Sequence, residues 1–134
     1  MATTVGQYCI YVSDIERSIR FYTEVIGLKL QGRTEIDDVH EAHLAADVAP
    51  GNRILLADGQ LAERYQGGRP IDHGFALWKI YMNVEDCAAT HARAVEAGYE
   101  STMTPTRLDR WPVTVAFVND PDGYSVELVE RHDR

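Results

Sequence analysis

Few side chains in this sequence stand at spacings that could do chemistry. Glu41 and His43 are two apart, so on one strand they share a face and could act as an acid–base pair or as one corner of a metal site. The plain alternative, which we favour, is two polar residues on an exposed edge strand. Cys9 is a candidate nucleophile, but no activating base is identifiable beside it, so we read it as an inert buried thiol. Lys79 and Glu127 sit in otherwise apolar strand patterns, where a charge is costly to bury without purpose. His40, His73, His91 and His132 show no ligand spacing and read as structural or solvent-facing. Asp120-Pro121-Asp122-Gly123 looks like a calcium loop only superficially; it is too short and reads as a hairpin turn.

The elements that must position these groups occur twice. QYCIYVSD (Gln7–Asp14) aligns with KIYMNVED (Lys79–Asp86), and each is followed by a helical stretch ending at glycine, Gly27 and Gly98. VAPGNRILLAD (Val48–Asp58) aligns with DPDGYSVELVE (Asp120–Glu130). Residues 1–58 and 77–134 therefore read as two copies of one module, joined by the Gly-rich and polar segment 59–76, within one domain of 134 residues. Each copy reads strand, helix, then three strands. The strands are expected near 5–12, 28–33, 39–46, 52–57, 77–84, 99–103, 112–119 and 124–130.

The first helix opens on a capping box, Ser13 with Glu16, and turns Ile15, Ile19, Tyr22 and Ile26 inward. The second turns Cys87, His91 and Ala94 inward. Trp78 and Trp111 are large anchors; Trp111 precedes the seventh strand, where it either stacks on a ligand or caps the sheet.

Composition narrows the function. Thirteen Lys and Arg against 21 Asp and Glu give a net charge of −8, which disfavours nucleic acid and anionic membranes and leaves neutral or cationic small molecules open. Two cysteines exclude a disulfide scaffold and a zinc ribbon. The opening MATTVGQYCIYVSD has no basic region and no long apolar run, so a cytoplasmic location is expected, without a signal peptide.

The opening VSDIERSIRFYTEVIGLKL and the close FVNDPDGYSVELVE, in this order and with the repeat, resemble the glyoxalase / bleomycin-resistance / dioxygenase family, the vicinal oxygen chelate superfamily. The resemblance implies an α+β fold in which two βαβββ modules form a curved half-barrel sheet around a cavity, with the helices outside. It also implies frequent dimerisation and, in the family's metal enzymes, one ligand from the first and one from the last strand of each module. Those places are held by Gln7, Leu55, Lys79 and Glu127. Leu55 offers no lone pair and Lys79 carries a charge where a His is usual. The sequence reading therefore expects no metal cofactor; any metal would need Gln7, His43 and Glu127.

Strand alternation then sorts the faces. Ile10, Val12, Ile54, Leu56, Ile80, Met82, Val84, Val126 and Leu128 are expected to meet the helices. The opposite parity puts Gln7, Cys9, Tyr11, Leu55, Lys79, Tyr81, Phe117 and Glu127 in the cavity as ligand-binding residues, with Trp111 at its mouth. Two functions follow. One is a binder of a small aromatic or cationic molecule in this cavity. The other is a glyoxalase-like lyase or isomerase, or a dioxygenase, using Lys79, Glu127 or His43 as catalytic groups. In either case Lys79 is expected to pair with Glu127, and the chain to form a homodimer through its first strand, the alternative being a monomer whose edges Glu35, Asp37 and Asp38 guard.

Overall fold

The computed structural model describes residues 7–36, 39–46, 53–58, 79–109 and 111–132. The chain divides into two compact units, 1–71 and 72–134. The segment 59–76, the Pro50 turn, His73, Trp78, Asp37 and Asp38 lie outside the described residues.

The first unit runs β1 (Gln7–Val12), α1 (Ile15–Arg20) continued by a π-helical turn (Phe21–Val25), β2 (Lys29–Ile36), β3 (Val39–Ala45) and β4 (Arg53–Asp58). The second runs β5 (Ile80–Asn83), α2 (Cys87–Glu96), β6 (Ser101–Arg107), β7 (Val113–Asn119) and β8 (Ser125–Arg131). Their sheets have the same order, β1-β4-β3-β2 and β5-β8-β7-β6, and in each the first strand lies parallel to the last. The duplicated sequence thus folds as two βαβββ modules, an α+β architecture. Among the described residues no helix is long and apolar enough to cross a membrane.

Both helices start the same way. The Asp14 carboxylate accepts from the Arg17 amide at 3.1 Å, and the Asp86 carboxylate from the Ala89 amide at 3.0 Å. The expected Ser13–Glu16 capping box is corrected by one residue: Asp14 is the cap, and Glu16 instead accepts from Arg33 at 2.5 Å. Both helices end on glycine with positive φ, 99° at Gly27 and 93° at Gly98, a region closed to most L side chains.

The expected inward face of the first helix is too narrow. The Ile26 amide bonds back five residues to the Phe21 carbonyl at 3.1 Å, and this wide turn buries Phe21 and Val25 along with Tyr22 and Ile26. The Phe21 and Tyr22 rings meet edge to face, 4.9 Å between centroids. In α2 the buried face is Cys87, Thr90 and Ala94. His91 is only half-buried, its Nε2 2.7 Å from the Ser101 hydroxyl.

Sheet parity places the cores. α1 packs on β3 and β4, where Ala42, Leu44 and Leu56 are fully buried with Ile10 and Val12 beside them. α2 packs on β6, β7 and β8, over Ala116, Val118, Val126 and Leu128. Ile54, Ile80 and Val84 share this parity but are half-buried.

Strand ends differ where local irregularities intervene. β2 continues past residue 33 to Ile36 through a register shift between Leu30 and Gly32. β6 runs to Arg107 rather than stopping at 103; it is an edge strand, and a shift between Met103 and Thr106 accommodates Pro105. The Asp120 turn is a hairpin: its buried carboxylate accepts from the Asp122 and Tyr124 amides, both at 2.9 Å. Those two bonds are what make the segment a turn and not a cation loop.

Candidate functional site

In the second unit, β8 sets the site. Its residues Glu127, Val129 and Arg131 alternate onto the face away from α2, while Val126 and Leu128 face the helix side. Pairing with β7 puts Phe117 opposite Glu127, Val115 opposite Val129, and Val113 opposite Arg131. Pairing with β5 puts Tyr81 opposite Glu127. Lys79, two residues before Tyr81, has the same parity.

Lys79 Nζ stands 2.8 Å from Glu127 Oε1, with the side chains 21% and 11% exposed. The contact is a charge pair outside hydrogen-bond geometry, since Oε1 is buried without a hydrogen-bond donor. The same ammonium lies 5.7 Å from the Phe117 ring centroid, within cation–π range. Beside this pair is an open cavity of about 460 Å³. Its floor is apolar, a cluster of Val113, Val115 and Val129 with Met103 and Leu108 packed against it. Tyr81 and Trp111 flank it, 46% and 57% exposed, and Arg131 closes one side. Arg131 Nη2 donates to the Tyr81 hydroxyl at 3.2 Å.

Sequence reasoning named Lys79, Tyr81, Phe117, Glu127 and Trp111, and these come together. It missed Arg131, Val113 and Leu108. Arg131 was legible: the 125, 127, 129 alternation continues to 131, one residue beyond the drawn end of the strand.

In the first unit, register aligns Cys9, Leu55 and His43 in one row and Tyr11, Ala57 and Glu41 in the next. With Ala42 and Leu44 buried on the helix side, Glu41 and His43 take the other face. His43 Nδ1 is buried without a hydrogen-bond partner. The reading of Cys9 as a buried thiol is corrected: it is exposed, on the face of β1 opposite the buried Ile10 and Val12. Partial desolvation, and then the Glu41 carboxylate, push its thiol upward, so it is no activated nucleophile. The side chains of Gln7 and Leu55 lie outside the described residues. Gln7 and His43 belong to the first unit and Glu127 to the second. Among the described residues no group of three His, Cys, Asp or Glu could hold a metal.

Two βαβββ modules of this topology define a class, and comparison with known proteins names it. The family model of the Glyoxalase/Bleomycin resistance protein/Dioxygenase superfamily matches residues 4–128, and the chain belongs to that superfamily. It is 34% identical over 122 residues to the lactoylglutathione lyase of Salmonella typhimurium, covering 91% of this chain and 88% of that one. It is 35% identical over 119 residues to a probable lactoylglutathione lyase of Vibrio parahaemolyticus, covering 89% and 84%. Among solved structures it resembles an antibiotic binding protein from Streptomyces sp. CB03234, with a TM-score of 0.73, 23% identity and 98% coverage of both chains; that likeness speaks to the fold.

This kinship overturns the expectation of a protein without a metal cofactor. The relatives that match nearly the whole chain are named lactoylglutathione lyase or probable lactoylglutathione lyase, in a superfamily that typically binds a divalent metal; the positions that the resemblance implies for its ligands are those of Gln7, Leu55, Lys79 and Glu127. The described half of that set fits a divalent metal only in part. Glu127 is a carboxylate of the right kind. Lys79 as an ammonium has three donors and no lone pair, and it stands against the very oxygen a metal would use. As arranged here the pair does not fit a metal.

Proposed function

We propose that this chain binds a small organic molecule in the cavity of its second unit. The observation that carries the reading is a charge pair of 2.8 Å, Lys79 with Glu127, held at the wall of a cavity whose floor is apolar and whose flanks are two exposed aromatics. Small-molecule sites have this make-up, apolar surface with a few placed polar groups. Exposed Trp111 and Tyr81 offer stacking surface to an aromatic ligand, and the net charge of −8 draws a cationic one toward the protein. Lys79, Tyr81, Trp111, Phe117 and Glu127 are the residues we assign to binding. Cys9, Tyr11, Glu41 and His43 form rows on their own sheet and are not used.

A thermal-shift screen against drugs and metabolites tests this. A ligand at 100 times its Kd stabilises the fold by about 2.7 kcal/mol. For a chain of 134 residues this is a rise of about 10 °C in Tm. Trp111→Ala should remove most of that rise; an undiminished shift in the variant overturns the assignment.

A second reading is favoured by the lyase relatives at 34 and 35% identity: turnover of lactoylglutathione, with Lys79, Glu127 or His43 as the candidate acid and base groups. A lactoylglutathione assay on the purified protein decides it, and activity abolished by Glu127→Gln would favour it over simple binding. Three further points belong to this reading. The two modules work as one domain, 1–134, a reading supported by a family model that matches residues 4–128. The chain forms a homodimer through β1, the end strand of its described sheet, and strand edges are surfaces that proteins normally cover. It resides in the cytoplasm, consistent with two free cysteines.

A further inference from the structure

We propose that Arg131 makes the second-unit cavity selective for a small aromatic acid, its guanidinium taking the carboxylate while Trp111 and Tyr81 flank the ring. This rests on the cavity-binding reading above, keeps its aromatic ligand and replaces its cationic alternative with an anionic one.

The local charge carries the argument. The cavity holds two cations and one anion. Lys79 and Glu127 neutralise one another at 2.8 Å. Among the described residues no carboxylate reaches ion-pair distance of Arg131, whose bond is to the neutral Tyr81 hydroxyl. A guanidinium has five donors in a planar fork that matches a carboxylate, so most of its capacity stays available.

The neighbouring acids are accounted for. Glu130 points to the other face of β8, where one oxygen accepts from the Cys87 amide at 2.8 Å and the other lies 3.4 Å from His132 Nδ1. Glu85 lines the adjoining hollow with Arg131 and Asn83 but makes no ion pair with it. The cavity is therefore locally positive in a chain whose net charge is −8, the reverse of the ligand charge that the net charge favours.

The aromatic half of the ligand follows from position. Tyr81 is tied to Arg131 through its hydroxyl, so a carboxylate at the guanidinium places the attached apolar body over Tyr81 and Trp111 and above the valine floor. Charge-assisted, bidentate Arg–carboxylate bonds are the strong kind, and because Arg131 is exposed the bond should weaken as salt rises.

Calorimetry with three probes of one shape tests the inference: 3-phenylpropionate, 3-phenylpropanamide and 3-phenylpropylammonium. The acid should bind about tenfold more tightly than the amide, and the amine most weakly, with the acid's advantage shrinking as salt rises. Arg131→Gln should bring the acid-to-amide ratio to about 1 by weakening the acid far more than the amide; Arg131→Lys should keep part of the ratio; Glu85→Gln should raise it. Equal binding of acid and amide, or preference for the amine, overturns the role of Arg131 while the cavity reading stands. A ratio that survives in Arg131→Gln does the same. Failure of all three probes overturns both.

Discussion

Replacing Lys79 with Met keeps an unbranched apolar stem beneath Phe117 and removes the ammonium. The carboxylate of Glu127, 11% exposed, then has lost its counter-charge. At 2.8 Å and an effective dielectric of ~20 the gross attraction in the pair is about 6 kcal/mol, most of it offset by the cost of desolvating both groups. What the substitution exposes is the cost of a stranded carboxylate, about 3–5 kcal/mol in a fully buried pair. Because a fifth of the Lys79 side chain meets solvent, the loss here should be about 2–3 kcal/mol, or a fall of about 7–11 °C in Tm. Urea unfolding at pH 7 measures it. Glu127→Gln alone should also destabilise, by leaving the ammonium. The double variant should lose at least about 1.5 kcal/mol less than the two single losses together, the coupling expected of groups in contact. A Lys79→Met loss under about 0.5 kcal/mol, or losses that simply add, would refute the reasoning.

Cys87 gives a pH prediction. Burial, then Glu130 and Asp86, push its thiol from 9.0 to about 11. The unfolded chain ionises first as pH rises, so the folded state should lose stability between about pH 9 and 11. Cys87→Ala should remove that part of the slope in a series of melts, and an unchanged slope counts against it. Asp120→Ala strands two turn amides bonded at 2.9 Å and should cost about 2 kcal/mol by urea midpoint, with Asp120→Asn recovering much of it. Light scattering at micromolar concentration should give about twice 15.1 kDa; a mass near 15.1 kDa ends the homodimer.

The sequence made the fold legible through repetition. Asp14 and Asp86, Gly27 and Gly98, and the paired hairpins mark the same module twice, and the period of two sorted Leu44, Leu56, Val126 and Leu128 from Glu127 on the other face. Lys79 and Glu127 could be paired from parity alone. What escaped depended on departures from regular geometry. The π-helical turn changes which residues face inward, so Phe21 and Val25 were missed. A proline ended β6 too early, because an edge strand with a register shift tolerates Pro105. Cys9 was misjudged because periodicity tells which face a residue takes, and not what covers that face: Ile10 and Val12 on the same strand are buried while Cys9 is exposed. Arg131 was lost to a strand drawn one residue short.

The central claim is that a ligand seats in the second-unit cavity, against the Lys79–Glu127 pair. Mapping amide chemical shifts during titration with the strongest stabiliser from the thermal screen tests it most directly. The account predicts the largest changes at Lys79, Tyr81, Trp111, Val115, Glu127 and Val129, with α2 residues such as Ala94 unmoved. Saturable shifts confined to other parts of the chain, with those six unchanged, would contradict it.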